Sequence, residues 1–198
     1  MEKRRIAAFD FDGTLTKKDT LIEFIRFTHG SFRLYLGILF ISPFIIASKF
    51  KIYNSGKAKQ RMFSLFYKKM PYSKFNELGE RFATNIEYFF RSEVLDNAHK
   101  HIQKGHTVYV ITASIEEWVK PWCNNHNLNN IIATRIEIDS KGLLSGKFIT
   151  PNCTGKEKIN KLLEIEPQRS EYILYAYGDS NGDKELFSIS DFHKKITV

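Results

Sequence analysis

Two aspartates near the start of the chain, Asp10 and Asp12 in the stretch DFDGT, are the first residues whose types and spacing could do chemistry. They directly follow the apolar run at residues 6–9, which is typical of a buried strand. One carboxylate of such a pair can attack an electrophile while the other donates or accepts a proton, and Gly13 permits the tight turn between them. The pair therefore predicts nucleophilic catalysis with a general acid, although a lone DxD also occurs in solvated loops.

A second acidic stretch, GDSNGD at residues 178–183, supplies hard oxygen ligands. Asp179 and Asp183 suit Mg²⁺, which takes one or two carboxylates from a protein and keeps several of its waters. A calcium loop is the competing motif, because acidic or amide side chains recur at alternate positions. It is disfavoured because Lys184 and Ser190 occupy the positions of the required glycine and bidentate glutamate.

Two further stretches could bind an anion. Thr112 ends the apolar run 107–111, where its hydroxyl and the free backbone amides would face a phosphate. Ser114 has capping-box spacing to Glu117 and is predicted instead to begin a helix. Lys156, in TGKEK, is predicted to start another helix and could neutralise phosphate charge, although lysines are common on surfaces.

The elements that must position these residues alternate along the chain. Five mostly apolar runs are predicted to form strands: 6–9, 107–111, 131–133, 172–177 and 195–198. Because helical segments separate them, the sequence predicts an α/β fold with a parallel sheet covered on both faces. In such sheets ligands gather beyond the carboxyl ends of the strands. Residues 135–150 alternate around a turn at 139–142 and predict a separate hairpin.

Residues 16–95 form a connection far longer than is usual in an alternating sheet. Their helical spacing predicts a helical cap inserted into a catalytic core made of 1–15 and 96–198. This segment holds 14 Lys and Arg against 6 Asp and Glu, whereas the rest of the chain holds 16 of each. The entire net charge of +8 therefore lies in the cap and favours an anionic partner, with a solvated basic face as the alternative.

The cysteines and the N-terminal stretch predict the compartment. Two cysteines, Cys123 and Cys153, are too few for a disulfide framework and fit a reducing environment. The stretch MEKRRIAAFDFDG lacks the apolar length of a signal peptide. The expected location is the cytoplasm.

Taken in order, DFDGT, the strand ending at Thr112, Lys156 and GDSNGD resemble the four motifs of the haloacid dehalogenase superfamily of phosphohydrolases, over nearly the whole chain. The long insert after the first motif is similar to that of the branch with a small helical cap, which includes phosphoserine phosphatase and phosphatidylglycerophosphatase C. The resemblance implies a Rossmann-like sheet and hydrolysis of a phosphate monoester through an aspartyl-phosphate. A non-enzymatic phospho-acceptor module is the alternative, and the presence of Asp12 and Lys156 argues against it.

The resemblance also implies a role for each motif residue. Asp10 would be the nucleophile, and Asp12 the acid that protonates the leaving oxygen and later activates water. Thr112 and Lys156 would hold the phosphoryl oxygens. Mg²⁺ would be bound by Asp10, by the backbone carbonyl of Asp12 and by Asp179. Asp183 would complete the metal site by holding a ligand or a metal-bound water. Further substrate and phosphate contacts are assigned to Phe11, Ala113, Asp19 and Arg61. Asp19 also stands where a helix N-cap is expected.

An uncharged run of fifteen residues, LYLGILFISPFIIAS at 34–48, lies within the cap. It is shorter than the roughly 20 residues that a transmembrane helix needs, and Pro43 predicts a break near Ser42. A single crossing would also leave Asp10 and Thr112 on opposite sides of the bilayer. Burial in the cap core is the first expectation. Contact with an anionic lipid surface is the alternative, because basic residues, among them Lys51 and Arg61, flank the run.

These features together predict the substrate and partners. A lipid phosphate such as phosphatidylglycerophosphate is the expected substrate, with a small soluble monoester such as phosphoserine as the alternative. The cap would then contact the inner face of the membrane peripherally. Nucleic acid is not an expected partner, because the basic residues surround an apolar segment rather than a stacking platform.

Overall fold

A computed structural model describes residues 3–50, 52–149 and 153–197, and only the backbone of Lys49. The strands of the described chain are β1 (Arg4–Phe9), β2 (Thr107–Ile115), β3 (Asn130–Thr134), β4 (Ile136–Ile138), β5 (Leu144–Phe148), β6 (Tyr172–Gly178) and β7 (Phe192–Lys195). Five of them form a parallel sheet in the order β3-β2-β1-β6-β7. The predicted parallel sheet is confirmed, and the strand that precedes Asp10 is its central strand. The last strand lies earlier than the predicted 195–198, and Val198 is outside the described residues.

Seven helices accompany these strands in the described chain: α1 (Thr20–Lys49), α2 (Ser55–Tyr67), α3 (Tyr72–Ile86), α4 (Ser92–Gln103), α5 (Glu116–Asn125), α6 (Lys156–Ile165) and α7 (Lys184–Ile189). The alternation of side chains along β1 divides the core into two layers. Ala7 and Phe9 pack with α4 and α5, whereas Ile6 and Ala8 pack with α6 and α7. Helices therefore cover both faces of the sheet, as the apolar strands require.

The predicted hairpin is also confirmed, and it pairs with the inserted helices. Strands β4 and β5 are antiparallel, and the predicted end of the hairpin at Thr150 lies outside the described residues. The Leu144 amide donates to the Met70 carbonyl at 2.9 Å, and the Lys69 amide donates to the Leu144 carbonyl at 2.8 Å. The hairpin, which follows directly after β3 of the parallel sheet, thus fixes the connection between α2 and α3.

Helices α1, α2 and α3 form the insert predicted after the first strand. Thr16 and Phe90 form an antiparallel bridge, so the chain leaves the sheet layer and returns to it side by side. Phe24 of α1 lies 4.5 Å, ring centre to ring centre, from Trp118 of α5. At Gly79 of α3 a Cβ would stand 2.7 Å from a backbone carbonyl of α5, so the glycine permits close packing of insert and core. The boundaries 16 and 95 stay a prediction.

Helix α1 changes direction at Gly30, so the predicted break near Ser42 is wrong. Gly30 has φ 80° and ψ 163°, a conformation that only glycine adopts readily. Pro43 lies inside the helix instead. It has no N–H to donate to the Leu39 carbonyl, and the Ser42 hydroxyl donates to that carbonyl at 2.7 Å. The side chain before the proline therefore satisfies the carbonyl that the proline leaves free.

The apolar run at 34–48 is buried on one side only. Leu34 and Ile41 are buried against the rest of the protein, whereas Leu39 and Phe40 are each 70% exposed. The expectation that this run forms a plain buried core is therefore wrong for its outer side. The physical reason is that the described neighbouring elements, chiefly α2, cover a single face of a helix that is apolar all round.

Candidate active site

The carboxyl ends of β1, β2 and β6 meet at a cleft of about 380 Å³. The cleft also receives side chains from the start of α1, from α2 and from α6. Its lining includes Asp10, Asp12, Gly13, Lys17, Lys18, Asp19, Lys59, Thr112, Ala113, Thr154, Lys158, Asp179 and Ser180. The structure therefore brings the predicted motifs together at the place where parallel sheets bind ligands.

Asp10 is held rigidly at the floor of this cleft. Its backbone N–H donates to the Tyr177 carbonyl at 2.9 Å, which fixes the end of β1 against β6. Its Oδ1 accepts from the Phe11 amide at 2.7 Å and lies 2.8 Å from Lys158 Nζ. Burial raises the pKa of Asp10 to about 7, although Lys158 opposes that rise. A second positive charge in the cleft would favour the carboxylate form of Asp10, which is the form that attacks an electrophile.

Asp12 is oriented by residues on two other elements. Its Oδ1 accepts from the Thr20 amide at 3.0 Å and from the Thr20 hydroxyl at 2.7 Å, while its Oδ2 accepts from the Ser114 hydroxyl. Burial and the nearby Asp19 carboxylate raise the pKa of Asp12, whereas Lys59 Nζ, 3.8 Å from Oδ2, opposes them. A carboxyl group with a raised pKa is suited to act as a general acid near neutral pH.

The prediction that Ser114 begins a helix is wrong. β2 continues to Ile115, and α5 begins at Glu116 without a side-chain cap, so Ser114 does not start the helix. It is fully buried, and its hydroxyl lies 3.1 Å from that of Thr20. The indole N–H of Trp118 donates to Thr20 at 3.0 Å and completes this polar network. The prediction was wrong because a serine near the end of a strand and a serine that caps a helix can have the same spacing to a following glutamate.

Three carboxylates form a compact acidic group: Asp10, Asp179 and Asp183 have oxygens within 4.8 Å of one another. Gly13 makes room for this group, because a Cβ at its position would stand 2.3 Å from Asp179. Burial and the Asp183 charge raise the pKa of Asp179. Hard oxygen donors that repel one another in a partly buried site fit a small divalent cation. The Asp12 side chain lies outside the group, and the contact expected through its carbonyl stays a prediction.

The lysine next to Asp10 is Lys158, and the assignment of Lys156 is wrong because Lys156 does not line the cleft. Lys156 is exposed at the first position of α6, whereas Lys158 is 2% exposed, 2.8 Å from Asp10 and 2.5 Å from Asp183. Burial lowers the pKa of Lys158, but the two carboxylates outweigh burial and raise it. Residues two apart on a helix point about 200° apart. The i, i+4 relation of Lys158 to the buried Leu162 is the sequence signal that could have identified it.

The predicted phosphate contacts on β2 lie where an anion would meet backbone and hydroxyl groups. Thr112 and Ala113 line the cleft, and Thr112 Oγ1 accepts from the Ser114 amide at 3.0 Å. Phe11, which follows β1, does not line the cleft, because its ring is fully buried and packs edge-on against Trp122 at 5.3 Å. Its backbone amide donates to Asp10 Oδ1 instead.

Of the two substrate contacts predicted in the insert, Asp19 and Arg61, only Asp19 lies at the cleft. Asp19 lines the cleft and also caps α1, where its Oδ1 accepts from the Ile22 amide at 3.1 Å. Arg61 does not line it. Its Nε donates to the Tyr53 hydroxyl at 2.7 Å on the outer surface of α2. The cation that α2 directs into the cleft is Lys59, two residues earlier and on the opposite side of the helix.

Comparison with known proteins now identifies the family. Residues 7–188 match the family model described as haloacid dehalogenase-like hydrolase. The chain belongs to the haloacid dehalogenase-like hydrolases. Protein CicA of Caulobacter vibrioides is 30% identical over 190 residues, covering 94% of this chain and 83% of CicA. A histidinol-phosphatase of Neisseria meningitidis is 29% identical over 94 residues, which is 45% of this chain and 42% of that protein.

Solved structures place this hydrolase among similar folds. A protein of unknown function from Bordetella pertussis has a TM-score of 0.79 at 18% identity, covering 94% of this chain and 87% of that one. A phosphoserine phosphatase described as a phospho-aspartyl intermediate analogue has a TM-score of 0.66 at 19% identity, covering 97% and 86%. The expected family and fold are thereby confirmed. In this hydrolase the cleft combines a buried nucleophile candidate, a second carboxyl group and a group of three carboxylates that could hold a cation.

Proposed function

We propose that this hydrolase is a Mg²⁺-dependent phosphatase that cleaves phosphate monoesters through an aspartyl-phosphate on Asp10. The observation that carries the proposal is the meeting, in one cleft, of a buried carboxylate at Asp10 and a second carboxyl group at Asp12 whose pKa is raised. The names of two similar proteins, a histidinol-phosphatase and a phosphoserine phosphatase, support the same reaction class.

In the first step an Asp10 oxygen attacks phosphorus, and the bond from phosphorus to the ester oxygen breaks. Asp12, protonated at that moment, gives its proton to the leaving oxygen, so an alcohol departs. Thr20 and Ser114 hold Asp12 from both oxygens, which keeps the acid aimed in one direction. The balance of the step is one phosphorus–oxygen bond formed, one broken and one proton moved.

In the second step water attacks the aspartyl-phosphate, and Asp12, now a carboxylate, takes the proton of that water. Phosphate leaves and Asp10 is regenerated. The Thr112 hydroxyl and the backbone amides around it would hold the phosphoryl oxygens. Lys158 holds Asp10 in place and shares its charge with Asp183. Mg²⁺ held by Asp10, Asp179 and Asp183 would supply the positive charge that lets a carboxylate and a phosphate approach each other.

Phosphate release from para-nitrophenyl phosphate tests this proposal. We expect turnover that requires added Mg²⁺, stops in EDTA and is lost in Asp10→Asn. Asp96→Asn, a change of the same kind at an exposed position of α4, is the matched control and should retain full activity. A stable phosphorylated protein that never turns over would contradict the proposed hydrolysis and favour a phospho-acceptor module. Activity that survives in Asp10→Asn would contradict the role of Asp10 as the nucleophile.

For the substrate we propose a lipid phosphate such as phosphatidylglycerophosphate. The specific observation in favour is that the insert which borders the cleft, through Asp19 and Lys59, also carries large exposed apolar side chains such as Phe40. A small polar substrate gives no reason for such a surface. A soluble monoester, phosphoserine or histidinol phosphate, is the alternative that the names of similar proteins support.

A direct comparison of catalytic efficiencies separates these substrates. Phosphatidylglycerophosphate in mixed micelles should be hydrolysed with the highest kcat/KM, ahead of phosphoserine, histidinol phosphate and a sugar phosphate. Addition of empty micelles to the soluble substrates controls for an effect of detergent on the enzyme. A higher kcat/KM for phosphoserine in both conditions would contradict the lipid substrate. The location that accompanies this proposal is the cytoplasm, with the enzyme at the inner face of the membrane where its lipid substrate would lie.

A further inference from the structure

The outer side of the second half of α1, after the turn at Gly30, is an unpartnered apolar face. Its large side chains are 51–76% exposed: Phe32 76%, Tyr35 62%, Leu36 51%, Leu39 70%, Phe40 70% and Ile46 54%. We call these six residues the outer face. A helix on the surface of a soluble domain normally turns charged or polar side chains outward. Here Arg33 is the one charged residue between positions 31 and 48.

The outer face continues into a groove between α1 and α2. Leu36, Gly37 and Phe40 form one wall, Leu65 and Phe66 form the other, and the volume is about 340 Å³. At Gly37 a Cβ would stand 2.3 Å from the Phe66 ring, so the glycine lets the two helices approach closely. The groove therefore extends the apolar surface across two helices.

Exposed cations border this apolar surface, and among the described residues no acidic side chain lines its groove. Arg33 lies at one end of the groove, and Lys57 and Arg61 are exposed on α2. The Arg61 guanidinium stands 4.1 Å over the Phe44 ring, so it presents charge directly at the edge of apolar surface. Apolar side chains bordered by Lys and Arg fit the boundary between acyl chains and anionic headgroups.

We propose that the outer face lies on an anionic lipid bilayer, with the second half of α1 parallel to the membrane plane and Arg33, Lys57 and Arg61 at the headgroups. Helix α1 is long and apolar enough to cross a membrane by length and composition, with a mean hydropathy of 1.7 in its most apolar window. A lying helix is favoured because its inner side chains, Leu34 and Ile41, stay packed in the protein core.

This docking gives the cleft its access to lipid, and that consequence rests on the proposed function. Lys59 in the cleft and Leu65 in the groove are on the same helix, about 9 Å apart along its axis. A lipid whose phosphate reaches Asp10 would therefore keep its acyl chains on the outer face and in the bilayer.

Sedimentation with vesicles tests the docking without any catalysis. Vesicles of phosphatidylcholine with phosphatidylglycerol should carry down the protein, pure phosphatidylcholine should carry down several-fold less, and the difference should shrink as NaCl is raised. The double variant Leu39→Glu, Phe40→Glu should lower the vesicle-bound fraction tenfold or more. Tyr88→Glu, at a tyrosine that is 87% exposed outside the outer face, is the matched control and should bind like the wild type.

Hydrolysis of para-nitrophenyl phosphate by the same variants separates the two proposals. Unchanged soluble turnover in Leu39→Glu, Phe40→Glu together with lost vesicle binding supports the docking. Vesicle binding in a protein that hydrolyses nothing supports the docking and contradicts only the phosphatase. Equal binding by the double variant and the wild type would overturn the docking. A stable dimer, detected by light scattering, that the double variant abolishes and that does not bind vesicles would overturn it as well and assign the face to a second copy.

Discussion

Replacement of Lys158 by methionine is expected to be among the most damaging single changes to the acidic site. The side chain is 2% exposed and its Nζ lies 2.8 Å from Asp10 and 2.5 Å from Asp183. Removing one member of a buried charge pair costs about 3–5 kcal/mol, because the remaining charge has no partner and no water. Here two carboxylates lose their partner, so the free energy of unfolding should fall by at least the lower end of that range.

Activity should fall together with stability, for a different reason. Without the ammonium group the pKa of Asp10 rises further, because burial and the nearby Asp183 charge already raise it and Lys158 no longer opposes them. Less of Asp10 is then in the carboxylate form that attacks phosphorus. Loss of a positioned charge in such a site typically costs on the order of 10²–10³ in kcat.

Urea unfolding in EDTA, followed by tryptophan fluorescence, measures the first effect, since Trp118 and Trp122 are both fully buried. Lys156→Met is the matched control, and its exposed side chain predicts a change within about 0.5 kcal/mol. The double variant Lys158→Met, Asp183→Asn should recover part of the loss, because it removes one of the two unpaired charges. Equal stability of Lys158→Met and wild type, or a larger loss in Lys156→Met, would refute the reasoning.

Three further changes have defined outcomes. Ser114→Ala removes the donor to one Asp12 oxygen, so the pKa of Asp12 should rise. The alkaline limb of the kcat/KM–pH profile, where the general acid loses its proton, should then move to higher pH, and an unmoved limb would contradict this role. His101, which is buried against His106, has its pKa lowered by burial to about 4, below the ordinary value of about 6.5. As the pH is lowered, the unfolded chain therefore binds the proton first, and the free energy of unfolding should fall by on the order of 2–3 kcal/mol between about pH 6.5 and 4. His101→Gln should flatten that part of the curve of unfolding free energy against pH, measured by urea unfolding. Gly30→Ala should destabilise by roughly 1–2 kcal/mol in thermal or urea unfolding through backbone strain alone, because apart from the adjoining backbone no described atom lies within 4 Å of the added carbon. An unchanged midpoint would show that the turn relaxes.

Local patterns predicted most of the catalytic layer. Continuous apolar runs identified β1, β2 and β6, and the acidic residues that follow β1 and β6 are at the cleft as expected. These predictions succeed because the end of a buried parallel strand and the identity of the next residue are both local properties.

The wrong predictions of site residues share one cause: each depends on the direction in which a side chain points in the folded protein. Lys156 and Lys158 have the same chemistry, and so do Lys59 and Arg61 as cations of α2. Only the rotation of each helix against the sheet decides which of the two faces the cleft. Ser114 likewise satisfied a local capping rule, while its actual partner, Asp12, is 102 residues away.

The sequence by itself determined the chemistry available to this protein: a pair of aspartates after the first strand, an acidic loop after another, and a basic insert with an apolar centre. It did so because residue type and short-range spacing decide which groups end a strand and which oxygens can bind a cation. Only the tertiary structure decided that Lys158 pairs with both Asp10 and Asp183, and that the apolar centre of the insert is buried on one side and exposed on the other. Both facts follow from how distant elements pack, because burial and charge pairing are properties of the assembled fold rather than of any segment.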